Sequence, residues 1–155
     1  MNEIDSFSGK YRYMSNFFPA RTRIKVKYLH PNIQKKFRKD YDFEGTTSEH
    51  CFQAAKMTNL EDFNRVISVN TPSLANNFGR LLPIRDDWDD IRLEIMYLVV
   101  MDKFKRNKVI RELLKRTKEA ELIEGNTWGD QFWGVCKGEG KNHLGKILME
   151  VRSKL

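Results

Sequence analysis

The chain has 155 residues, 40% hydrophobic and 32% charged, with 28 Lys and Arg against 21 Asp and Glu, giving a net charge of +7 and a pI near 9.4. That length suits one domain able to bury about two thirds of its unfolded surface, and no apolar run nears the ~20 residues that a membrane helix needs. The basic excess fits an anionic partner, either a phosphorylated small molecule or a nucleic acid, through field effects and not through fold. The first residues, MNEIDSFSGKYRYMSNFF, lack the basic start and apolar core of a secretory signal. Two cysteines, Cys51 and Cys136, cannot build a disulfide framework, so the expected compartment is a reducing cytoplasm.

Residues 1–45 are rich in β-branched and aromatic side chains. Residues 21–28 alternate charged and apolar positions, and residues 37–43 repeat the pattern more weakly. This predicts an antiparallel hairpin whose connection holds His30, Pro31 and Asn32. The chain turns helical at Thr46. Thr71 and Pro72 supply a hydroxyl cap and a first-turn proline for a further helix, with Gly79 as its stop or break. Residues 88–104, WDDIRLEIMYLVVMDKF, carry an apolar stripe of Trp88, Ile91, Ile95, Leu98 and Val99, which Leu93, Met96, Val100 and Met101 widen almost all round. Such a helix is expected to be central, with Met96 and Met101 in the core. Asn107 caps another helix to about Thr117. Residues 120–125, AELIEG, read as a short strand, residues 126–142 as a glycine-rich loop, and a last helix begins near His143. The expectation is a single α+β domain over residues 1–155, mostly helical, with a small N-terminal antiparallel sheet. The basic residues from Lys103 to Lys118 are expected on a solvated helical face.

The stretch TTSEHCFQAAK (46–56) raises the functional question. Glu49, Gln53 and Lys56 are spaced i, i+4 and i+7, so they share one helix face. Thr46-x-x-Glu49 also matches a capping box, in which Glu49 only satisfies backbone N–H groups; spacing alone leaves both roles open. His50 is expected to pack or orient its neighbours. WGVCKGEGKN is no Walker loop, because five residues separate Gly134 from Gly140 and Asn142 stands where Ser or Thr is needed. With no CxxC or HExxH, a zinc site would need His50, Cys51, Cys136 and His143 to converge, and no metal is assigned. There is no G-x-S-x-G elbow. Gly138, Gly140, Lys141 and Asn142 precede a helix whose free N–H groups suit a phosphate, with an ordinary loop as the alternative. Arg80 and Arg85 are further phosphate candidates. Trp88, Trp128 and Trp133 belong to the core by default, and Trp133, next to Gly134, is the ring expected to stack on a base.

In this order, SNFFP (15–19), SEHCFQAAK (48–56), FGR (78–80), Trp88, KF (103–104), LIE (122–124) and NTWGDQFWGVCKGEGKNHLGKILMEVR (126–152) resemble the NADAR superfamily of YbiA-like N-glycosidases. The match runs from about Phe7 to Leu155. It implies a YbiA-like fold and hydrolysis of a ribosyl C–N bond without a cofactor. Known members act on phosphorylated riboflavin-pathway intermediates or on ADP-ribose attached to guanine. The implied carboxylate is Glu49, which opposes an oxocarbenium-like ribose or deprotonates water. Some members carry an acid directly after the final WG, where this chain has Val135; Asp130 is assigned as the second acid. On the substrate side the resemblance places Ser15, Asn16, Phe17, His50, Lys56 and Arg80. It adds Trp88, Trp133, Gly134, Gly138, Lys141 and Asn142 from later segments.

The favoured expectation is hydrolysis of ADP-ribosylated guanine, in DNA or RNA, or of a phosphorylated ribosyl-amine. One alternative is an N-glycosidase for riboflavin-pathway ribosylaminopyrimidine phosphates. Another is a non-catalytic module that binds ADP-ribose or an NAD-related nucleotide. Two acids in a phosphate-binding pocket are electrostatically awkward unless chemistry needs them, which argues against binding alone.

Overall fold

The change of hydrophobic period near residue 45 marks a change of architecture. In the computed structural model, which describes residues 2–155, β1 (Glu3–Ile4) leads into a 3-10 helix at Gly9–Met14. β2 (Thr22–Lys25) and β3 (Asp42–Gly45) pair antiparallel with Thr22 opposite Gly45, and the short α1 (Pro31–Gln34) sits in their connection. The alternating pattern predicted this hairpin.

From residue 48 to residue 116 the chain is helical apart from short connections. α2 (Ser48–Ala54) is followed by α3 (Leu60–Ser68), capped by the Asn59 side chain on the Asp62 N–H. α4 (Pro72–Leu81) starts as predicted, with Thr71 Oγ1 accepting the Leu74 N–H at 3.1 Å and proline in the first turn. Gly79 does not end it: α4 continues two residues further, and the bare Cα is pressed against Gln53, where any Cβ would collide.

α5 (Trp88–Arg106) packs against β2, α2, α6 (Lys108–Arg116) and α7 (His143–Ser153), so it is central. It buries Trp88, Ile95, Met96, Val99, Val100 and Phe104, each apolar side chain contributing about 1.5–3 kcal/mol. The burial is not all round, since Leu93 is 42% exposed and Met101 only half-buried. Lys103 departs further from expectation. It lies four residues after Val99 on the apolar stripe and is fully buried, not on the solvated face. The Asn107 side chain does not cap α6; it donates to the carbonyls of Arg21 (2.9 Å) and Lys103 (2.7 Å), tying the end of α5 to the start of β2.

The remaining strands are short. β4 (Glu121–Leu122) pairs parallel with β1, and β5 (Gly125–Asn126) pairs parallel with β6 (Val135–Cys136). The domain is therefore α+β as expected, but two of the three small sheets among the described residues are parallel pairs that sequence periodicity did not indicate. Both cysteines are buried and free.

Candidate active site

α2 begins one residue later than Thr46 suggests. Thr47 is its cap, with Oγ1 accepting the His50 N–H at 3.2 Å. Glu49 is thereby released from the capping box. Its own N–H donates to the Asn16 carbonyl at 3.2 Å, and its side chain turns into the protein. Oε1 accepts two amide N–H bonds, from Gln53 Nε2 at 2.7 Å and from Asn76 Nδ2 of α4 at 3.0 Å. No donor among the described residues reaches Oε2. Only 6% of Glu49 is exposed; one oxygen is fixed and the other makes no hydrogen bond among the described residues. Gln53 is locked in turn: its Nε2 must point at Glu49 because its Oε1, buried without a hydrogen-bond partner, lies against Gly79.

Asn16 supports the start of α2 in two ways. Its Oδ1 accepts the Ser48 hydroxyl at 2.8 Å and its Nδ2 contacts the Met96 sulfur at 3.3 Å. Ser15, next to it, offers its carbonyl to Lys103 Nζ at 2.8 Å. Phe17 is 42% exposed and, with Ser15, Arg12 and Phe18, lines a cavity of about 400 Å³. His50 is turned away from Glu49. Its Nε2 donates to the Val69 carbonyl at 2.9 Å, which leaves Nδ1 to accept the Thr47 hydroxyl at 2.8 Å. Both ring nitrogens thus serve the scaffold.

Lys56, one turn beyond Gln53, lies over the rings of Phe52 and Trp88, each 5.6 Å away. Burial lowers its pKa; Glu49 opposes that, while Arg80 and Arg92 add to it. Three cations therefore share one neighbourhood. Arg92, on the α5 face shared with Trp88 four residues earlier, was not anticipated. Its guanidinium sits 3.7 Å from the centre of the Phe132 ring, and the ion pair it makes with Asp89 is long at 3.8 Å. Trp88 is buried and packs on Phe52 at 5.0 Å. Trp133 is half-buried, edge-on to Phe52 at 5.4 Å and to Phe132 at 4.8 Å. Trp128, expected in the core, is 71% exposed. Arg85 is not free for phosphate: it is buried and bonded to Asp87 and to the carbonyls of Tyr28 and Ala55.

The glycine-rich loop is built differently from the expected phosphate cradle. The N–H groups of Lys141, Asn142, His143 and Leu144 are donated to the carbonyls of Gln131, Gly134, Phe132 and Trp133. These are the groups a phosphate would have used. Lys137 and Gly138, both at positive φ, make the tight turn between Cys136 and Glu139, and the Lys141 ammonium is 5.9 Å from the Phe132 ring. Asn142, left-handed at φ 54°, is a clamp: Oδ1 accepts the Glu124 N–H and Nδ2 donates to the Leu122 carbonyl, both at 2.9 Å. Gly134 leaves room for Glu124, whose carbonyl and Cγ would meet any Cβ there. Asp130 organises the loop, its Oδ1 accepting the N–H groups of Phe132 (3.1 Å) and Trp133 (2.9 Å).

Two further titratable groups interact nearby, Lys103 fully buried and Glu124 half-buried. Burial raises the Glu124 carboxyl to about 7, with Asp130 and Glu49 pushing the same way and Lys103 opposing. Burial lowers the Lys103 ammonium to about 7, with Glu124 opposing. The structure thus brings Glu49, Lys56, Arg80, Trp88 and Trp133 into one neighbourhood with Asn16 beneath. It adds Gln53, Asn76, Arg92, Lys103 and Glu124, and gives His50, Gly134 and Asn142 to the scaffold. Among the described residues, no three His, Cys, Asp or Glu side chains converge as metal ligands.

A model of the NADAR domain matches residues 5–155. The N-glycosidase YbiA of Escherichia coli (strain K12) is 37% identical over 112 residues, covering 70% of this chain and 69% of that protein. A riboflavin biosynthesis protein of Vibrio vulnificus (strain YJ016) is also 37% identical over 112 residues, which are 30% of its length. The NMR structure of E. coli YbiA superimposes with a TM-score of 0.76 and 31% identity, covering 99% of this chain and 86% of that one.

Proposed function

Since the chain belongs to the NADAR family and is a hydrolase acting on N-glycosyl bonds, we propose that it cleaves a ribosyl C–N bond in an ADP-ribosylated guanine, with Glu49 as the reacting carboxylate. The observation that carries this reading is a single side chain: Glu49 held by two amide donors on Oε1, with Oε2 free of hydrogen bonds and the three cations without a close carboxylate partner among the described residues. Breaking an N-glycosidic bond builds positive charge on the ribose, and Oε2 is the oxygen available to oppose it or to take a proton from water. Lys56, Arg80 and Arg92 match the two negative charges of a diphosphate, which a neutral nucleoside lacks. The Trp133 face is the stacking surface for the base. On this reading Asp130 acts through the loop it orders, by holding Trp133, and Asn16 and Ser15 act through α2 and Lys103.

A second reading is favoured by the Vibrio relative, whose name places it in riboflavin biosynthesis. There the substrate would be a ribosylaminopyrimidine phosphate, with the same cations on one phosphate. The N-glycosidase relatives count against a purely binding module. Incubating the protein with both substrates and following the released sugar phosphate and the freed amine by mass spectrometry separates the readings. Faster release of ADP-ribose from an ADP-ribosylated oligonucleotide, leaving unmodified guanine in the strand, supports the first; turnover of the pyrimidine alone overturns it. A long nucleic acid would also give a KM that climbs steeply with salt, as phosphate contacts release counterions.

A further inference from the structure

Glu124 has a construction that the Glu49 chemistry leaves unexplained. Its backbone is fixed on both sides: the N–H is held by Asn142 Oδ1, and the carbonyl accepts the Val135 N–H at 2.8 Å. Its Cγ lies in space that only a glycine at 134 leaves open. Of its two oxygens, Oε2 is sealed from solvent with no hydrogen-bond partner. A sealed oxygen without a donor is a costly place for negative charge and a tolerable one for the carbonyl of a neutral acid. The charges that act on this carboxyl are Asp130 from the loop, Lys103 from α5 and Glu49 from α2. Lys103 Nζ is held instead by the Ser15 carbonyl, one residue before the Asn16 carbonyl that receives the Glu49 N–H. Of the two carboxyls, Glu49 has two amide donors on one oxygen, while Glu124 has a sealed oxygen with none.

We propose that Glu124 is a second catalytic carboxyl, carrying in its neutral form the proton that the departing base takes up. The proposal rests on the N-glycosidase reading. As the C–N bond breaks, its electron pair leaves with the nitrogen, which receives the Glu124 proton. Water oxygen bonds to the ribose carbon and its proton passes to Glu49. Glu49 releases that proton to solvent and Glu124 regains one, so the net change is addition of water across the bond. Environments that push two acids apart, one toward charge and one toward neutrality, are how a pair of carboxyls divides acid and base roles. Lys103 and Asn142 are positioning residues for Glu124.

The test compares kcat against pH for the wild type and Glu124→Gln, on ADP-ribosylated guanine or on ribosylaminopyrimidine phosphate, whichever the wild type turns over. A wild type inactive on both overturns the N-glycosidase reading and this proposal with it. Given turnover, the wild-type rate should fall as pH rises through about 7, where Glu124 loses its proton. Glu124→Gln should lose about 100-fold or more in mildly acid buffer and lack that limb. A folded variant within a few-fold of wild type, with the same profile, overturns the assignment to Glu124 alone. Should glutamine fail to fold, Glu124→Asp takes its place. Independently of either variant, a ¹³C titration of wild-type glutamate carboxyls should show one near neutral pH, and ordinary values for all of them would overturn the proposal.

Discussion

The α2 face and the segment from Glu124 to Gly145 were equally suggestive as sequence, and the structure uses them in opposite ways. On α2, side chains carry the proposed chemistry and the backbone is an ordinary helix: Glu49 and Gln53 share a face because four-residue spacing puts them there, with Lys56 just past the helix end. In the later segment the backbone carries most of the load. Its glycines admit close contacts, its N–H groups bond to carbonyls of the same loop, and Asn142 fastens the whole to Glu124. A helix face can be read from spacing, whereas a glycine-rich loop acquires meaning only when the destination of each N–H is known.

That contrast can be broken first at Asn142. Asn142→Ala leaves the buried Leu122 carbonyl and the Glu124 N–H without partners, which should cost about 2–4 kcal/mol and show as a large fall in Tm. An unchanged Tm with a raised KM would restore the phosphate-loop reading. Next in size is Arg92→Ala. If Arg92 completes the cation group, KM should rise about tenfold with Tm nearly constant, the ~1.4 kcal/mol of one charge-assisted contact. A fall in Tm without change in KM would make it only a partner for Phe132.

A smaller effect is expected from pH. A carboxyl raised from 4.5 to about 7 in the folded state contributes stability that is present below 4.5 and lost as pH rises through about 7. Thermal melts of Glu124→Gln should therefore gain on wild type as pH rises through that window. A constant difference would mean that Glu124 is not an unfavourably buried acid. Smallest is Lys141→Ala. With its N–H engaged by Gln131 and its side chain exposed, KM should move by no more than about threefold, well under 1 kcal/mol. A tenfold rise would place a phosphate at the loop after all.

Local signals made the fold legible where they sufficed. Thr71 and Pro72 announced α4, the stripe from Trp88 announced α5, and the alternation at 21–28 announced the hairpin. Two-residue parallel pairs have no period to read, and the partners β1 and β4 also lie more than a hundred residues apart. In the site, Glu49 and Lys56 were visible because their spacing sets them on one side of the predicted helix, although α2 itself ends at Ala54. Asn76, Arg92 and Glu124 reach it from other elements, so only the tertiary fold assembles them. Two faint signals were present: Lys103 interrupts an apolar stripe, and Arg92 follows Trp88 by one turn. Asn142 gave none, because a left-handed clamp and a loop residue look alike as sequence.

The central claim is that Glu49 is a reacting carboxylate and not a helix cap, and kcat of Glu49→Gln tests it most directly. Thr47 already caps α2, so the substitution should leave the helix intact and Tm within a few degrees. Glutamine keeps the shape of the side chain but carries no charge to oppose an oxocarbenium centre and is too weak a base to activate water. The account predicts a folded protein that binds substrate and turns over at least about 100-fold more slowly. A kcat within a few-fold of wild type would contradict it.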